Sequence, residues 1–161
     1  MEILIILLLI ILNGIFSMSE IALISARKNR LENAAKKGNK SAHAALELAN
    51  SPNKFLSAVQ IGITLIGILT GIFSSNKITT DVQSFVEQFN NLKPYANSIA
   101  VGIVVITLTF FSLVLGELLP KRIGLNHPEA IAKAVAYPMK LVSIITAPFI
   151  WLLTISTEFL L

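Results

Sequence analysis

Glu20 and Glu117 offer the most chemistry in this 161-residue chain, because each lies in or at the end of a long apolar run. An ionisable side chain placed there is costly, which makes it a candidate site residue from the outset. Neutral polar residues recur beside both at helical spacing. Asn13, Ser17 and Glu20 fall at i, i+4 and i+7, with Ser19 adjacent. Ser57, Gln60, Thr64, Gly67 and Gly71 form a second stripe, and Thr109, Ser112 and Gly116 a third, with Glu117 next to it. Three helices that each carry one such stripe can face a common interior, the arrangement of a small-cation path. The donors are hydroxyls, amides and carboxylates, which suit a hard cation. Mg²⁺ takes about six oxygens at roughly 2.0–2.1 Å. Softer metals want imidazole or thiolate. The chain has no Cys, and its two histidines, His43 and His127, lie in basic polar segments. Pro120 has no N–H to give the carbonyl of Gly116, four residues back, so a backbone oxygen is freed beside Glu117. Broken helices serve transporters in this way.

Composition tells which elements must position these stripes. Hydrophobic residues make up 54% and charged residues 14%, with a mean hydropathy of +0.74. Soluble domains carry about 25% charged residues, so a water-soluble globule is excluded, and so is a disordered chain. The net charge of +4 comes from 13 Lys+Arg against 9 Asp+Glu. Most of the basic residues lie between Arg27 and Lys54 or between Lys121 and Lys140, bracketing apolar runs rather than covering a face. That placement excludes a nucleic-acid partner; the lipid bilayer is the partner it implies.

The fold class is all-α integral membrane. Spans are expected at about 3–26, 54–76 and 95–118, each near the roughly 20 residues that cross a bilayer. The link at 27–50 reads as two short juxtamembrane helices broken near Gly38-Asn39, with Ala and Leu at helical spacing. Residues 77–93 are neutral overall. The acidic Met1-Glu2 flank and the basic residues after the first span do not fit a signal peptide. By the positive-inside rule the N-terminus is outside and the first and third links are cytoplasmic. Pro120 is expected to stop the third span. Residues 128–161 contain an uncharged run at 141–157, cut by Pro138 and Pro148. They make either a fourth transmembrane helix or a broken hairpin of juxtamembrane helices on the cytoplasmic side. Gly67 and Gly71 form a GxxxG pattern that reads as close helix packing.

Structural roles compete with the site reading for each residue. Serine and threonine in spans commonly bond the carbonyl four residues back. Glu20 lies within two turns of Arg27 and Lys28, and Glu117 one turn from Lys121; either acid can be half of an ion pair. A membrane anchor that dimerises and holds a cytosolic module is therefore the rival to a transporter. An enzyme is not expected, since no histidine lies near the hydroxyls and no pair of aspartates lies in a span.

Three stretches carry a family resemblance: Phe16-Ser-Met-Ser-Glu-Ile-Ala-Leu-Ile-Ser-Ala-Arg27, Gln60-Ile-Gly-Ile-Thr-Leu-Ile-Gly67, and Gly116-Glu-Leu-Leu-Pro-Lys-Arg122 followed by His127-Pro-Glu129. In this order they resemble the membrane domain of the CorC/cyclin M (CNNM) family over essentially the whole chain. The resemblance implies a Mg²⁺ transporter of the cell membrane, usually an exporter driven by Na⁺ entry, working as a homodimer. It also implies three transmembrane helices and then a juxtamembrane belt, which keeps the C-terminus cytoplasmic. Its Mg²⁺ ligands, carried over, are Ser17, Ser19, Thr64 or its neighbours, Gly116 and Glu117. Asn13, Glu20, Gln60, Gly67 and Ser112 are then candidates for the rest of the path, Glu20 for Na⁺. The family normally continues into cytosolic CBS nucleotide-binding modules, absent from this chain. The expectation is a membrane-domain piece of a longer protein or a short member.

Overall fold

The computed structural model describes residues 2–74 and 77–161. Met1 and the last two residues of the expected second span, 75 and 76, lie outside the described residues. Helix α1 is Glu2–Ser25, followed by two short helices, α2 at Lys28–Lys36 and α3 at Lys40–Ala49. Between them Gly38 takes φ +89°, a left-handed conformation open to glycine at little cost. The next residue, Asn39, caps α3 by accepting the Ala42 N–H at 2.9 Å. Helix α4 starts at a proline, as first helical positions tolerate, and covers Pro52–Ser74. Helix α5 is Lys77–Val86, in the link for which the sequence suggested no helix.

A 3₁₀ turn at Lys93–Tyr95 leads into α6, Ala96–Leu113. The chain does not stop at Pro120. It passes through a π-helical turn at Val114–Leu118 into α7, Leu119–Asn126. The Leu119 N–H bonds the Val114 carbonyl five residues back. The wider turn accommodates a proline that a strict i→i−4 ladder would reject.

The last element, α8, is one continuous helix, Pro128–Leu160, with Pro138 and Pro148 inside it. The expected proline break, and with it the hairpin, is not present. Packing overrides local propensity here. Ala132, Val135, Ala136 and Met139 are buried on both sides of Pro138, in one cluster with Ala44, Ala45 and Leu48 of α3. Farther on, Ser143 and Ile144 line a small cleft with Phe55 at the start of α4, and Leu153 shares a larger one with Thr64 and Ile68. The second half of α8 thus runs beside α4, beyond the α2–α3 end of the molecule.

Among the described residues four helices are long and apolar enough to cross a membrane: α1, the 93–126 helix, α4 and α8. Large apolar side chains such as Leu4, Ile68, Ile106, Phe110 and Phe149 point outward, as lipid-facing residues do.

Helix α1 is central. It runs antiparallel to α4, with the Phe16 ring seated over Gly62, and parallel to α6–α7, where three glycines admit it. A Cβ on Gly116 would lie 3.3 Å from the Ile10 carbonyl, one on Gly14 2.9 Å from Pro120, and one on Gly124 2.9 Å from the Met18 carbonyl. Gly67 and Gly71, expected to pack closely, have no such neighbour within 4 Å among the described residues.

At the basic end, Lys140 of α8 donates to Glu47 of α3 at 2.7 Å. That hydrogen bond, with the lysine charge, lowers the pKa of the Glu47 carboxyl. A carboxylate with a depressed folded-state pKa contributes stability above its unfolded-state value, and loses it as the pH falls through the folded value. Glu47→Gln is therefore expected to be less stable than the parent at neutral pH, by a small margin, since both side chains are exposed. The two proteins should converge in acid; melting curves across pH test this.

Candidate cation site

The site is built where α1 crosses the π-helical turn. The turn sets Gly116 against α1, and the Asn13 amide donates to the Gly116 carbonyl at 3.0 Å. So the oxygen that Pro120 leaves free of its usual helical partner is met by a side chain from another helix. A carbonyl oxygen has two lone pairs, so one acceptor position remains for a further donor or a cation. The other end of the same amide, Asn13 Oδ1, is buried with no hydrogen-bond partner among the described residues. Buried polar atoms are nearly always satisfied, so such an orphan oxygen needs a reason. It is an oxygen of the kind a hard cation takes.

One turn beyond, Lys121 joins the two acids. Its Nζ lies 2.8 Å from Glu117 Oε1 and 3.8 Å from Glu20 Oε2. The Glu117 contact is an i,i+4 pair along the helix; the Glu20 contact spans from α7 to α1. Sequence reasoning paired Glu117 correctly with Lys121 in its structural alternative, but looked for the partner of Glu20 at Arg27 or Lys28. Arg27 and Arg30 instead meet Glu129, at the start of α8. The Arg27 N–H lies 3.5 Å from its carboxylate and the Arg30 guanidinium 3.8 Å.

The other sequence-selected residues separate into two cavities and a buried layer. A cavity of about 390 Å³ is lined by Asn13, Gly67, Gly71, Thr109 and Ser112 among apolar residues of α1, α4 and α6. A second, of about 690 Å³, is lined by Glu20, Ser57, Gln60 and Thr64, with Leu153 of α8. The α4 stripe is thus divided: its first half opens beside Glu20 and its second beside Asn13. Between them Phe16 closes over Gly62, next to Ser17. Ser17 and Ser19 are both almost fully buried, and Ser19 Oγ donates to the Ile15 carbonyl at 2.6 Å. The described contacts bring Asn13 to Gly116 and Glu20 to Glu117 through Lys121. They do not bring Thr64 to Glu117. Among the described residues no three of His, Cys, Asp or Glu gather into a metal-holding group, so any ion held here relies on hydroxyl, amide and backbone oxygens as well as carboxylates.

Two contributors escaped sequence reasoning: Asn13 as a partner of the Gly116 carbonyl, and Lys121 as a bridge between helices. The signal that could have found them is the set Gly14, Gly116 and Gly124, which fixes the parallel register of α1 against α6–α7.

Residues 4–161 match the family described as the cyclin M transmembrane N-terminal domain. The chain is 52% identical over 158 residues to UPF0053 protein sll0260 of Synechocystis, covering 98% of this chain and 35% of that protein. It is 33% identical to UPF0053 protein YhdP of Bacillus subtilis, covering 94% of this chain and 34% of that one. It is 35% identical to the polyamine export protein of Escherichia coli K12, covering 93% and 33%. The chain spans about a third of the length of the curated relatives it matches. It belongs to the cyclin M transmembrane family.

Proposed function

We propose that this cyclin M family membrane domain carries Mg²⁺ across the cell membrane, as a Na⁺-coupled exporter working by alternating access. The observation that carries the reading is the convergence of Glu20 and Glu117, from two different helices, on one ammonium, that of Lys121, beside a π-helical turn. Glu117, the Gly116 carbonyl, Ser17, Ser19 and Thr64 are the proposed ligands. Glu20 serves Na⁺, and Asn13, Gln60, Gly67 and Ser112 line the approach.

Mg²⁺ gives up its water reluctantly, so it needs a dense set of oxygens to replace even part of its shell. The two cavities support alternation. One lies on the Asn13 side of the Phe16–Gly62 contact and the other on the Glu20 side. Small shifts of α4 against α1 would favour one over the other. Such a shift would also draw Thr64 toward Glu117, a contact the present conformation lacks. With the basic links cytoplasmic and the N-terminus outside, the Glu20 cavity faces the cytoplasm. A homodimer is the proposed assembly, and CBS modules are the proposed content of the remaining two-thirds of a full-length relative.

The test is thermal unfolding of the purified protein with and without Mg²⁺. A ligand bound only by the folded state at about 100 times its Kd stabilises by roughly 2.7 kcal/mol. A membrane anchor with no ion site predicts no shift at all.

A second reading, polyamine export, has its own support: the polyamine export protein among the relatives, and a primary ammonium already accepted by Glu117 in this chain. Spermidine in place of Mg²⁺ in the same experiment separates the two. Stabilisation by spermidine and none by Mg²⁺ would overturn the magnesium reading.

A further inference from the structure

We propose that Lys121 is a tethered cation of this site: its ammonium holds Glu117 and Glu20 in the ion-free protein and must leave them for a transported cation to enter. The inference rests on the reading of Glu117 as a cation ligand and gives that ligand a competing cation that belongs to the chain itself.

The geometry is that of a loosely held plug rather than a structural bolt. Among the described ion pairs Lys121 alone joins two acids; Arg30 and Lys140 each meet one. Its two contacts are unequal, 2.8 Å to Glu117 and 3.8 Å to Glu20, and its side chain keeps 35% of its exposure. A lysine is a compact charge on a flexible four-carbon stem. Rotation about that stem takes the ammonium away from both carboxylates without moving α7.

Charge explains why such a plug is useful. Without a cation, two carboxylates at the edge of an apolar bundle repel each other and are poorly hydrated. With Lys121 between them, one negative charge is left over. With a divalent ion in its place the pair is fully neutralised. The ion and the ammonium are like charges competing for the same oxygens, so binding one expels the other. A monovalent ion brings no more charge than the ammonium it must displace, which favours a divalent cargo. Competition also limits affinity, and a carrier has to release what it binds. After release the ammonium returns, and the bundle can change conformation with its acids compensated.

Mg²⁺ titration calorimetry on the full chain tests this, comparing the parent with Lys121→Gln, Lys121→Arg and Glu117→Gln. Lys121→Gln is expected to bind Mg²⁺ about fivefold more tightly, because a partly exposed ion pair no longer has to be broken. Lys121→Arg should bind more weakly than the parent, since a guanidinium grips a carboxylate through two parallel donors. Equal or weaker affinity in Lys121→Gln overturns the proposal. Should that variant fail to fold, unchanged or tighter binding in Lys121→Arg overturns it. Glu117→Gln keeps the two questions apart. If it binds Mg²⁺ as the parent does, the cation-site reading itself fails. If it loses binding while Lys121→Gln matches the parent, only the role of Lys121 is lost.

Discussion

Glu117→Gln is expected to remove the Mg²⁺-dependent stabilisation and transport almost entirely while leaving a folded, assembled protein. Changes that merely disturb the partners of a metal ligand cost roughly 10–100-fold in affinity, and deleting a charged ligand should exceed that range. The fold should survive because Glu117 is 42% exposed and gives up one ion pair along its own helix, worth about 1 kcal/mol or less. Glutamine keeps the size and one oxygen of the side chain, so the loss reports charge rather than shape. Calorimetry and a vesicle flux assay supply the readouts, with size-exclusion chromatography to check assembly. Full Mg²⁺ affinity in this variant would remove Glu117 from the site.

The π-helical turn is what lets Glu117 and Lys121 serve together. In a regular helix carrying Pro120, the Gly116 carbonyl would lose its partner and the proline ring would clash with it. Widening the turn relieves the clash and keeps the helix running, so Lys121 remains one turn beyond Glu117 and on the same side. Such turns inside α-helices are found mostly at functional sites. Here the turn also puts a glycine against α1, so that Asn13 can reach the backbone. Glu117, Asn13, the Gly116 carbonyl and Lys121 are gathered by one local distortion.

What could be read from the residues follows from what each signal encodes. Apolar runs and flanking charge mark where α1, α4 and the 93–126 helix begin, because hydrocarbon thickness demands a long apolar run, but the third helix continues past the expected end at 118 to Asn126. The break between α2 and α3 was legible because Gly38 and Asn39 state their conformations locally. Proline misled where it was taken as a break, at Pro120 and within α8. At Pro120 a wider turn absorbs it, and at Pro138 buried Ala132, Ala136 and Met139, packed in one cluster with α3, keep α8 continuous. The second compensation, packing against α3, is not local in sequence. For the site, the candidates were visible as rare polar residues, but their grouping was not. Which side of α4 faces Glu20 and which faces Asn13 depends on how the helices cross, and no stripe on a single helix records that. The Glu20–Lys121 pair joins residues a hundred positions apart, and only the register of α1 on α7 places them together.

That register gives the second large effect. Gly124→Ala is expected to destabilise the protein by about 1–3 kcal/mol, the usual cost of forcing extra volume into a packed contact. A Cβ there would lie 2.5 Å from Ile21 Cγ2 and 2.9 Å from the Met18 carbonyl. A side-chain methyl can rotate away, but a helix carbonyl cannot, so α1 and α7 have to move apart. Gly67→Ala is the matched control, a helical glycine with open space where the Cβ would go. Helix propensity alone favours alanine over glycine by about 0.8–1 kcal/mol, so this control should be neutral or more stable. Thermal melts of the two variants beside the parent give the comparison, and equal melting temperatures for the two would refute the contact. The site should register the same displacement. Glu20 and Lys121 face each other one turn or less from Met18, Ile21 and Gly124, and their separation of 3.8 Å is already at the limit of an ion pair. Pushing the helices apart lengthens it further while leaving the Glu117–Lys121 bond, which lies within one helix, untouched. Gly124→Ala should therefore leave Glu20 without its cation, weakening any binding that needs both carboxylates near one position, although the substituted residue touches neither of them.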